Sequence, residues 1–222
     1  MVVSPKINIL YEDNHLLVVI KPANMPVCPD SSRDKDLLSI LKEYLKEKYH
    51  KPGNVYLGLV HRLDRPVEGI MVFAKTSKAA ARLTKQINNN EFKKIYYAVV
   101  EGTPKEKEQL SDYLKKNEKT NTSYIAKDGK LSELIYTKIK TKDNLSLIKI
   151  NLLTGRHHQI RVQLSSRNYP LYGDHKYNKK FVNDNKENIA LIAKELTFFH
   201  PTTKELLHFE IDLPKKYPYD LF

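Results

Sequence analysis

An aspartate between two arginines is the residue of this sequence with the clearest capacity for chemistry. Asp64 stands between Arg62 and Arg65 in the segment HRLDRPVEG at residues 61–69, and Pro66 stiffens the turn that follows. Nearby cations favour the ionised form of a carboxyl even in a dry site, and an ionised carboxylate can act as a nucleophile or as a general base. The alternative is an ordinary aspartate that caps a turn while its arginine neighbours reach solvent.

A second candidate segment, TGRHHQIRV, covers residues 154–162. It reads as a turn that opens onto the N-terminus of a helix, where free N–H groups and the helix dipole favour an anion. Arg156 lies at that N-terminus, and Arg161 lies one to two turns further along. The alternative is that Arg161 is an ordinary cation on the surface of the helix.

The distribution of arginine connects these two segments. The chain has 31 lysines but only seven arginines, and four of the seven lie in residues 61–66 and 154–161. A lysine suffices where a solvated charge is needed, whereas the planar guanidinium is needed for bidentate contacts to carboxylate or phosphate. The clustering therefore points to a role for arginine geometry in both segments.

The histidines of the two segments raise the question of a metal site. His157 and His158 are adjacent, and adjacent residues of a regular helix point in different directions, so both cannot ligate one ion. His61 and Asp64 could join them, but the sequence contains no HxxxH or HxxE spacing. The sequence therefore predicts no metal site.

Two further residue types can bind or react. Tyr96 and Tyr97 are adjacent in a predicted strand, so one faces the core and the other faces the opposite surface. Either ring is a packing residue or a surface on which a nucleobase stacks. Cys28 has no catalytic neighbour in the sequence and is interpreted as an inert thiol.

Length and composition limit the class of protein. The chain has 222 residues, 41% of them hydrophobic, a formal net charge of +12 and one cysteine. These values predict a folded chain of one domain, or of two closely packed halves, without disulfides or structural zinc. The sequence shows no secretory signal and no apolar run near the length of a membrane span, so we expect a cytoplasmic protein. The charge favours a polyanionic partner, with nucleic acid first and an anionic membrane surface second, unless the lysines only maintain solubility.

Hydrophobic periodicity predicts the elements that position these segments. The predicted strands are 7–11, 16–20, 55–60, 69–74, 95–100, 123–126, 134–140, 145–152, 189–199 and 207–213. The predicted helices are 36–49, capped by Asp34 or Asp36, a helix that begins at a Ser77 cap and ends at residues 88–90, and 157–167. Residues 103–121 are charged without a clear period and are interpreted as an exposed insertion. Many strands with hairpin turns and few helices predict an α+β fold with a central, mostly antiparallel sheet.

The sequence resembles the RluA family of RNA pseudouridine synthases over nearly its whole length. The matching stretches, in order, are YED at 11–13 with KP at 21–22, HRLD at 61–64, FAK at 73–75, KIYYAVVEG at 94–102, TGRHHQIRV at 154–162, and GD at 173–174 with Tyr177. Six motifs in one order make a chance match very improbable. The resemblance implies a single catalytic domain across residues 1–222, with its core at about 7–214 and an active-site cleft across the sheet.

The resemblance also implies the reaction and its residues. It identifies Asp64 with the essential aspartate, Tyr96 with the tyrosine that lies against the target base, and Arg161 with the basic residue that pairs with the aspartate. The implied reaction isomerises specific uridines of rRNA or tRNA to pseudouridine without a metal or other cofactor. We expect the other polar residues of the two segments to contact RNA, namely His61, Arg62, Arg65, Arg156 and Gln159. Whether Asp64 attacks the sugar, adds to the base or abstracts a proton stays open.

The chain departs from the family pattern at three positions. Glu68 replaces a small hydroxyl residue, Asn24 replaces a glycine in the KPANMP stretch, and His157 stands where threonine is frequent. Because a strand is predicted almost at the first residue, we expect no S4-type RNA-binding domain before the catalytic domain. RNA binding must then come from the basic surface of the catalytic domain, and we expect a monomer without an obligate protein partner.

Two other functions remain as alternatives. The first is a non-catalytic RNA-binding or ribosome-assembly protein that keeps the same fold. The second is a basic adaptor at a membrane surface, which the sequence disfavours because it has no strongly amphipathic, lysine-rich helix with aromatic anchors. Both alternatives predict that a substitution of Asp64 leaves function intact.

Overall fold

A computed structural model describes residues 7–182, 184 and 187–222 of the chain. Its strands are β1 (Asn8–Glu12), β2 (Leu16–Lys21), β3 (Gly58–Leu59), β4 (Glu68–Ala74), β5 (Lys93–Glu101), β6 (Lys107–Asn117), β7 (Thr122–Ile125), β8 (Lys130–Lys142), β9 (Leu145–Leu152), β10 (Leu191–Phe199) and β11 (Leu206–Glu210). Its α-helices are α1 (Leu37–Lys48), α2 (Ser77–Asn88) and α3 (Gln159–Ser165), and short 3₁₀ turns cover Lys179–Phe181 and Tyr219–Leu221. The registered strand pairs are antiparallel, which confirms the predicted α+β class.

The chain forms two compact units. Unit 1 comprises the described residues of Met1–Phe92 together with Glu195–Ile211, and unit 2 comprises those of Lys93–Lys194 together with Asp212–Phe222. Strand β10 begins in unit 2 and ends in unit 1. Asp64 therefore belongs to unit 1, whereas Tyr96 and Arg161 belong to unit 2.

Unit 1 is built on the antiparallel series β1-β2-β4, with β3 also paired to β4 and with β11 paired to β10. Its core combines apolar residues of β2 and β4 with Leu83 of α2, Phe92, and Leu196 and Phe198 of β10. Of the two predicted caps of α1, Asp34 and Asp36, it is Asp36 that accepts a hydrogen bond from the N–H of Ser39, at 3.0 Å.

A cluster of polar residues joins β1 of unit 1 to the end of α1. The carboxylate of Glu12 accepts hydrogen bonds from Lys48 at 2.7 Å, Lys75 at 2.9 Å, Tyr44 at 2.8 Å and Tyr49 at 2.6 Å. Burial raises the pKa of Glu12, but these hydrogen bonds outweigh burial and lower the pKa to about 2. We call these five residues the Glu12 cluster.

Unit 2 is built on the antiparallel order β5-β9-β8-β6-β7. Asp143 and Asn144 have φ angles of 51° and 59° and form the turn between β8 and β9, where the hairpin was predicted. Two left-handed residues in a two-residue loop match the twist of the strands that they join. Helix α3 packs against one face of β6 and β7.

Strand β6 lies inside residues 103–121, which the sequence analysis interprets as a charged insertion without a clear period. Leu110 and Leu114 point inward, but the inward position between them is Asp112, which pairs with Arg167 at 2.9 Å. The outward positions are polar or tyrosine, so the alternation is hidden in the sequence. Residues 107–117 are therefore a strand of the sheet, and this part of the interpretation is corrected.

Several other boundaries differ from the predictions, among them the start of β8, predicted at 134, and the end of β11, predicted at 213. Only Gly58–Leu59 of the predicted strand 55–60 is paired, although Val55 and Leu57 are buried. Helix α2 is capped by Thr76, one residue before the predicted Ser77, through a hydrogen bond from the N–H of Ala79.

Helix α3 is shorter than the predicted helix 157–167. His158 has a φ of 53°, in the left-handed region that a right-handed helix excludes, so the helix begins only at Gln159.

No helix among the described residues is long and apolar enough to cross a membrane.

Candidate active site

The loop that contains Asp64 is fixed by buried apolar residues on either side of it. Leu63 and Val67 are buried, and the N–H of Val67 donates to the carbonyl oxygen of Asp64 at 3.0 Å, which closes a turn. Arg62, just before the first anchor, is exposed, and Asp64, between the two anchors, is half-buried. The backbone of the loop is thus anchored on both sides of Asp64.

A buried lysine supports the same loop. Lys21, the last residue of β2, is fully buried, and its ammonium donates to the carbonyl oxygens of Pro22 at 2.8 Å, Met25 at 2.9 Å and Arg65 at 2.9 Å. Three acceptors satisfy all three N–H groups of the ammonium. Lys21 therefore ties the end of β2 to the backbone immediately after Asp64.

The charge of Lys21 acts on the acidic residues of the loop. Burial lowers the pKa of Lys21 to about 7, and the carboxylates of Asp64 and Glu68 oppose that effect by favouring the charged amine. The same attraction acts in both directions. Lys21, which the sequence analysis quoted in a motif but gave no role, therefore interacts electrostatically with both carboxylates.

Arg65 fastens a neighbouring loop to the Asp64 loop. Its guanidinium donates to the carbonyl oxygen of Asn24 at 3.2 Å and to Ser32 Oγ at 2.9 Å, and it forms an ion pair with Asp34 and a longer one, at 3.7 Å, with Asp30. These are exposed contacts. Arg65, which was predicted to bind RNA, therefore has partners within the protein.

His61 also contacts the protein interior. Its Nε2 accepts a hydrogen bond from the N–H of Val72 at 3.0 Å, so the proton of the neutral ring lies on Nδ1. The ring packs edge-on against Phe92 at a centroid distance of 5.4 Å. The structure thus places His61 as an anchor between the loop and β4.

In unit 2, Gln159 fastens the turn of the second segment. Its amide group donates to the carbonyl oxygen of Glu133 at 3.0 Å and to Gln163 Oε1 at 3.1 Å. Its oxygen accepts from Thr154 Oγ1 at 2.7 Å and from the N–H of Arg156 at 3.1 Å. Because an amide has two donors and two principal acceptor positions, these contacts use the whole group.

The adjacent histidines stack on one another instead of converging on an ion. Their ring centroids are 3.7 Å apart, His157 Nδ1 bonds Ser123 Oγ at 2.8 Å, and His158 Nδ1 bonds Tyr177 Oη at 2.7 Å. The Tyr177 hydroxyl also accepts a hydrogen bond from the N–H of Ser123 at 2.7 Å. Burial, reinforced by nearby cations such as Arg161, lowers the pKa of His158 to about 2 and keeps the ring neutral.

Arg161 is oriented by a second acidic residue of unit 2. The buried guanidinium donates to Asp174 through Nε at 2.9 Å and through Nη2 at 2.6 Å, and its carbon lies 5.1 Å from the ring centroid of Tyr177. Asp174 also accepts from the backbone N–H groups of Lys176 and Tyr177. Asp174 thus fixes the plane of the guanidinium.

The two adjacent tyrosines lie on opposite faces of β5, as predicted. Tyr96 is buried and lies opposite Ile150 of β9. Tyr97 is half-buried, and the ammonium groups of Lys149 and Lys194 lie 5.7 Å and 5.3 Å from its ring centroid.

The predicted site residues thus occur in two sets. Asp64 lies in unit 1 with Lys21, and Arg161 lies in unit 2 with Asp174 and Tyr177; the pairing of Asp64 with Arg161 stays a prediction. Within the described ranges, no group of three or more His, Cys, Asp or Glu residues is placed to hold a metal ion. The sequence analysis missed the roles of Lys21 and Asp174, although both lie in quoted motifs, because their partners are distant in sequence or are backbone atoms.

Comparisons with known proteins agree with this arrangement of motifs. The family model described as RNA pseudouridylate synthase matches residues 15–166. Two solved structures share the fold. Human RNA Pseudouridylate Synthase Domain Containing 4 has a TM-score of 0.77 and is 21% identical, over 94% of this chain and 89% of that chain. Human RNA Pseudouridylate Synthase Domain Containing 1 has a TM-score of 0.74 and is 23% identical, over 94% of this chain and 84% of that chain.

Sequence relatives define the family more closely. An uncharacterized RNA pseudouridine synthase of Aquifex aeolicus is 33% identical over 95% of this chain and 71% of its own length. Ribosomal large subunit pseudouridine synthase C of Buchnera aphidicola subsp. Baizongia pistaciae is 37% identical over 89% of this chain and 64% of its own length. The chain belongs to the RNA pseudouridylate synthase family, in its RluA-type branch. It is accordingly an isomerase that converts uridine in RNA to pseudouridine.

Proposed function

We propose that this chain isomerises uridine in the RNA of the large ribosomal subunit, with Asp64 as the essential residue. The observation that supports Asp64 most directly is its loop, which apolar anchors fix on both sides and which Lys21 ties to β2. The ribosomal substrate is proposed because relatives 37% and 34% identical to this chain are named ribosomal large subunit pseudouridine synthases C and D.

The reaction needs a group that acts while the base is detached from its sugar. The N1–C1′ bond breaks, the uracil turns, C5 bonds to C1′, and the proton displaced from C5 is balanced by the proton gained at N1. A carboxylate at Asp64 serves as nucleophile or as base in this sequence. Tyr96 lies against the base, and its hydroxyl relays a proton.

Arg161 is proposed to hold Asp64 in its ionised, oriented form. The bidentate contact to Asp174 supports this role, because it fixes the guanidinium plane before any second carboxylate binds. A preoriented guanidinium loses little rotamer freedom when it pairs again.

RNA affinity is proposed to come from the basic surface. Arg62, Arg65 and Arg156 are exposed, although Arg65 and Arg156 also donate to groups of the protein, whereas His61 and Gln159 are held by contacts inside the protein. With a formal net charge of +12, binding should weaken steeply as salt concentration rises. We further propose that the protein acts in the cytoplasm as a monomer and needs no cofactor.

The test replaces the carboxylate without changing its shape. Cells that lack this protein receive the wild type, Asp64→Asn or the matched control Asp212→Asn, whose side chain is exposed, and pseudouridine is mapped in ribosomal and transfer RNA. Wild type and control should restore the same positions of large-subunit RNA. Asp64→Asn should restore none, while its RNA affinity stays within about tenfold, or ~1.4 kcal/mol.

Each contrary outcome removes a specific part of the proposal. Normal activity of Asp64→Asn would show that another group performs the chemistry. If the wild type restores pseudouridine in transfer RNA instead, the substrate is transfer RNA and not the RNA of the large ribosomal subunit. If the wild type restores no position, a non-catalytic RNA-binding protein is favoured. A log–log plot of affinity against salt that stays flat would exclude phosphate contact.

A further inference from the structure

Strand β6 has an outward face that the proposed reaction does not use. Every second residue from 107 to 115 is exposed, whereas Leu110 and Leu114 between them are buried and Asp112 is half-buried. The inward side contacts α3, since Asp112 accepts hydrogen bonds from Gln163 at 2.7 Å and Arg167 at 2.9 Å. The opposite side of the strand therefore faces solvent.

The strand register brings two tyrosines together on that outward face. Tyr113 lies opposite Leu131 of β8, and Lys115 lies opposite Tyr124 of β7. Residues paired across antiparallel strands point to the same side, and diagonal neighbours lie about 7–8 Å apart. These four residues form one patch, which we call the outer face of β6–β8.

The outer face is unusually apolar for a solvent-exposed surface. Tyr113 is 52% exposed, Tyr124 46% and Leu131 40%. Contiguous exposed apolar side chains with a polar rim mark sites of interaction. Aromatic rings mounted on a sheet are also the means by which some RNA-binding modules stack two or three bases.

The charges beside the outer face favour a polyanion. The same side of the sheet includes Lys107 of β6 and Lys149 of β9, and Lys194 of β10 lies with Lys149 over the ring of Tyr97. Two carboxylates share this side, Glu133 of β8 and Glu101 of β5, and Glu101 forms an ion pair with Lys180. This excess of positive charge complements phosphate and disfavours a basic protein surface as the partner.

Two cations, Lys115 of the outer face and Arg156 beside it, can contact phosphate. Arg156 is exposed and donates through Nε to the carbonyl oxygen of Leu131 at 3.1 Å, so the second catalytic segment reaches this patch. Lys115 pairs with Asp128, but the two side chains are 47% and 69% exposed. Such an exposed pair contributes little energy, so a phosphate can replace the carboxylate.

We propose that the outer face of β6–β8 binds single-stranded RNA that flanks the target uridine. Bases stack on Tyr113 and Tyr124, and phosphates contact Arg156 and Lys115. The inference rests on the proposed RNA-modifying function and adds the part of the substrate that the chain grips. Stacking on aromatic rings tolerates any base, so this surface contributes affinity without selecting the modified position.

The test removes the rings while it preserves the charges. The variant Tyr113→Thr/Tyr124→Thr keeps strand-forming residues, and Tyr113→Phe/Tyr124→Phe keeps the rings. Tyr56→Thr is the matched control, because Tyr56 is 50% exposed and lies in unit 1. Affinity is measured by fluorescence anisotropy with a short labelled oligouridylate and, for comparison, with a blunt double-stranded RNA.

The threonine variant should bind the oligouridylate at least about tenfold more weakly than the wild type, as loss of base stacking requires. The phenylalanine variant and the control should bind normally, and affinity for the duplex should change little. The slope of log affinity against log salt should stay constant, because no phosphate-binding charge is lost. With RNA substrate the threonine variant should raise KM and leave kcat near the wild-type value.

Several results would overturn the proposal. Normal oligouridylate binding by the threonine variant would show that the rings do not stack on RNA, even if the wild type still forms pseudouridine. An equal loss with phenylalanine would exclude stacking as the cause. A change in molar mass by light scattering, with RNA binding intact, would assign the face to a second copy of the chain. Absence of pseudouridine formation by the wild type would instead contradict the proposed function.

Discussion

Loss of the Asp174 carboxylate should destabilise unit 2 strongly and should also impair the reaction. The Arg161 and Asp174 side chains are 4% and 0% exposed. In Asp174→Asn one oxygen can keep the contacts made by Oδ1, but the new amide group faces the Nε–H of Arg161, donor against donor. Removal of one partner from a buried pair costs about 3–5 kcal/mol, because the remaining charge stays buried.

A less deeply buried pair of the same type supplies the control. Asp112 and Arg167 have side chains 13% and 28% exposed, so Asp112→Asn should cost about 1 kcal/mol. Both variants are unfolded in urea with the wild type, and the slopes of the transitions are compared before free energies are taken from them. A cost below about 1 kcal/mol for Asp174→Asn would refute the argument from burial.

A double variant separates stability from activity. Replacement of both partners by apolar residues, Arg161→Met/Asp174→Leu, removes the buried charges together and should recover part of the stability lost in Asp174→Asn, since the N–H groups of Lys176 and Tyr177 still lose their acceptor. Activity should stay absent, because the proposed partner of Asp64 is gone. Full activity of the double variant would exclude Arg161 from the reaction.

Three further substitutions test other parts of the structure. Glu12→Gln should lower the free energy of unfolding by about 2 kcal/mol at pH 7. Because the pKa of Glu12 falls from 4.5 to about 2 on folding, the difference from the wild type should vanish as the pH is lowered from 5 to 2 in urea titrations. A difference independent of pH would contradict the role given to the Glu12 cluster. Lys21→Met should cost roughly 3 kcal/mol through three carbonyl groups left without a donor. Since the pKa of Lys21 falls from 10.5 to about 7 on folding, the unfolded chain binds more protons between those values, so wild-type stability should rise with pH there and that of Lys21→Met should not. Gly173→Ala should lower the melting temperature sharply, because Gly173 has a φ of 70° and an added Cβ would lie 2.2 Å from the carbonyl oxygen of Asn188; unchanged melting would show that this segment adjusts freely.

Periodic burial made most of the fold predictable. β2, β4, β5 and β9 have strong apolar patterns, and their observed bounds lie within two residues of the predicted ones. β6 was hidden because Asp112 occupies an inward position, where its charge is neutralised by Arg167 from elsewhere in the chain. A pattern of hydrophobicity records burial, and it fails where a buried charge is paired.

The candidate site was predictable in part, for a related reason. The types of residue at Asp64, Tyr96 and Arg161 stand out in the motifs. The contacts that hold these residues in place do not stand out, since Lys21 binds carbonyl groups and Arg161 is held by Asp174, 13 positions away. Backbone acceptors leave no mark in the sequence, so the contribution of Lys21 needed coordinates.

The division of the chain has a consequence for its biosynthesis. The core of unit 1 combines Leu16, Val18 and Val72 with Leu196 and Phe198, which the ribosome adds more than a hundred residues later. The loop with Asp64 therefore leaves the exit tunnel long before its supporting core is complete. Because unit 1 consists of two separate segments, no single cut can release it as one continuous peptide. A nascent chain that ends before β10 should expose apolar surface to chaperones.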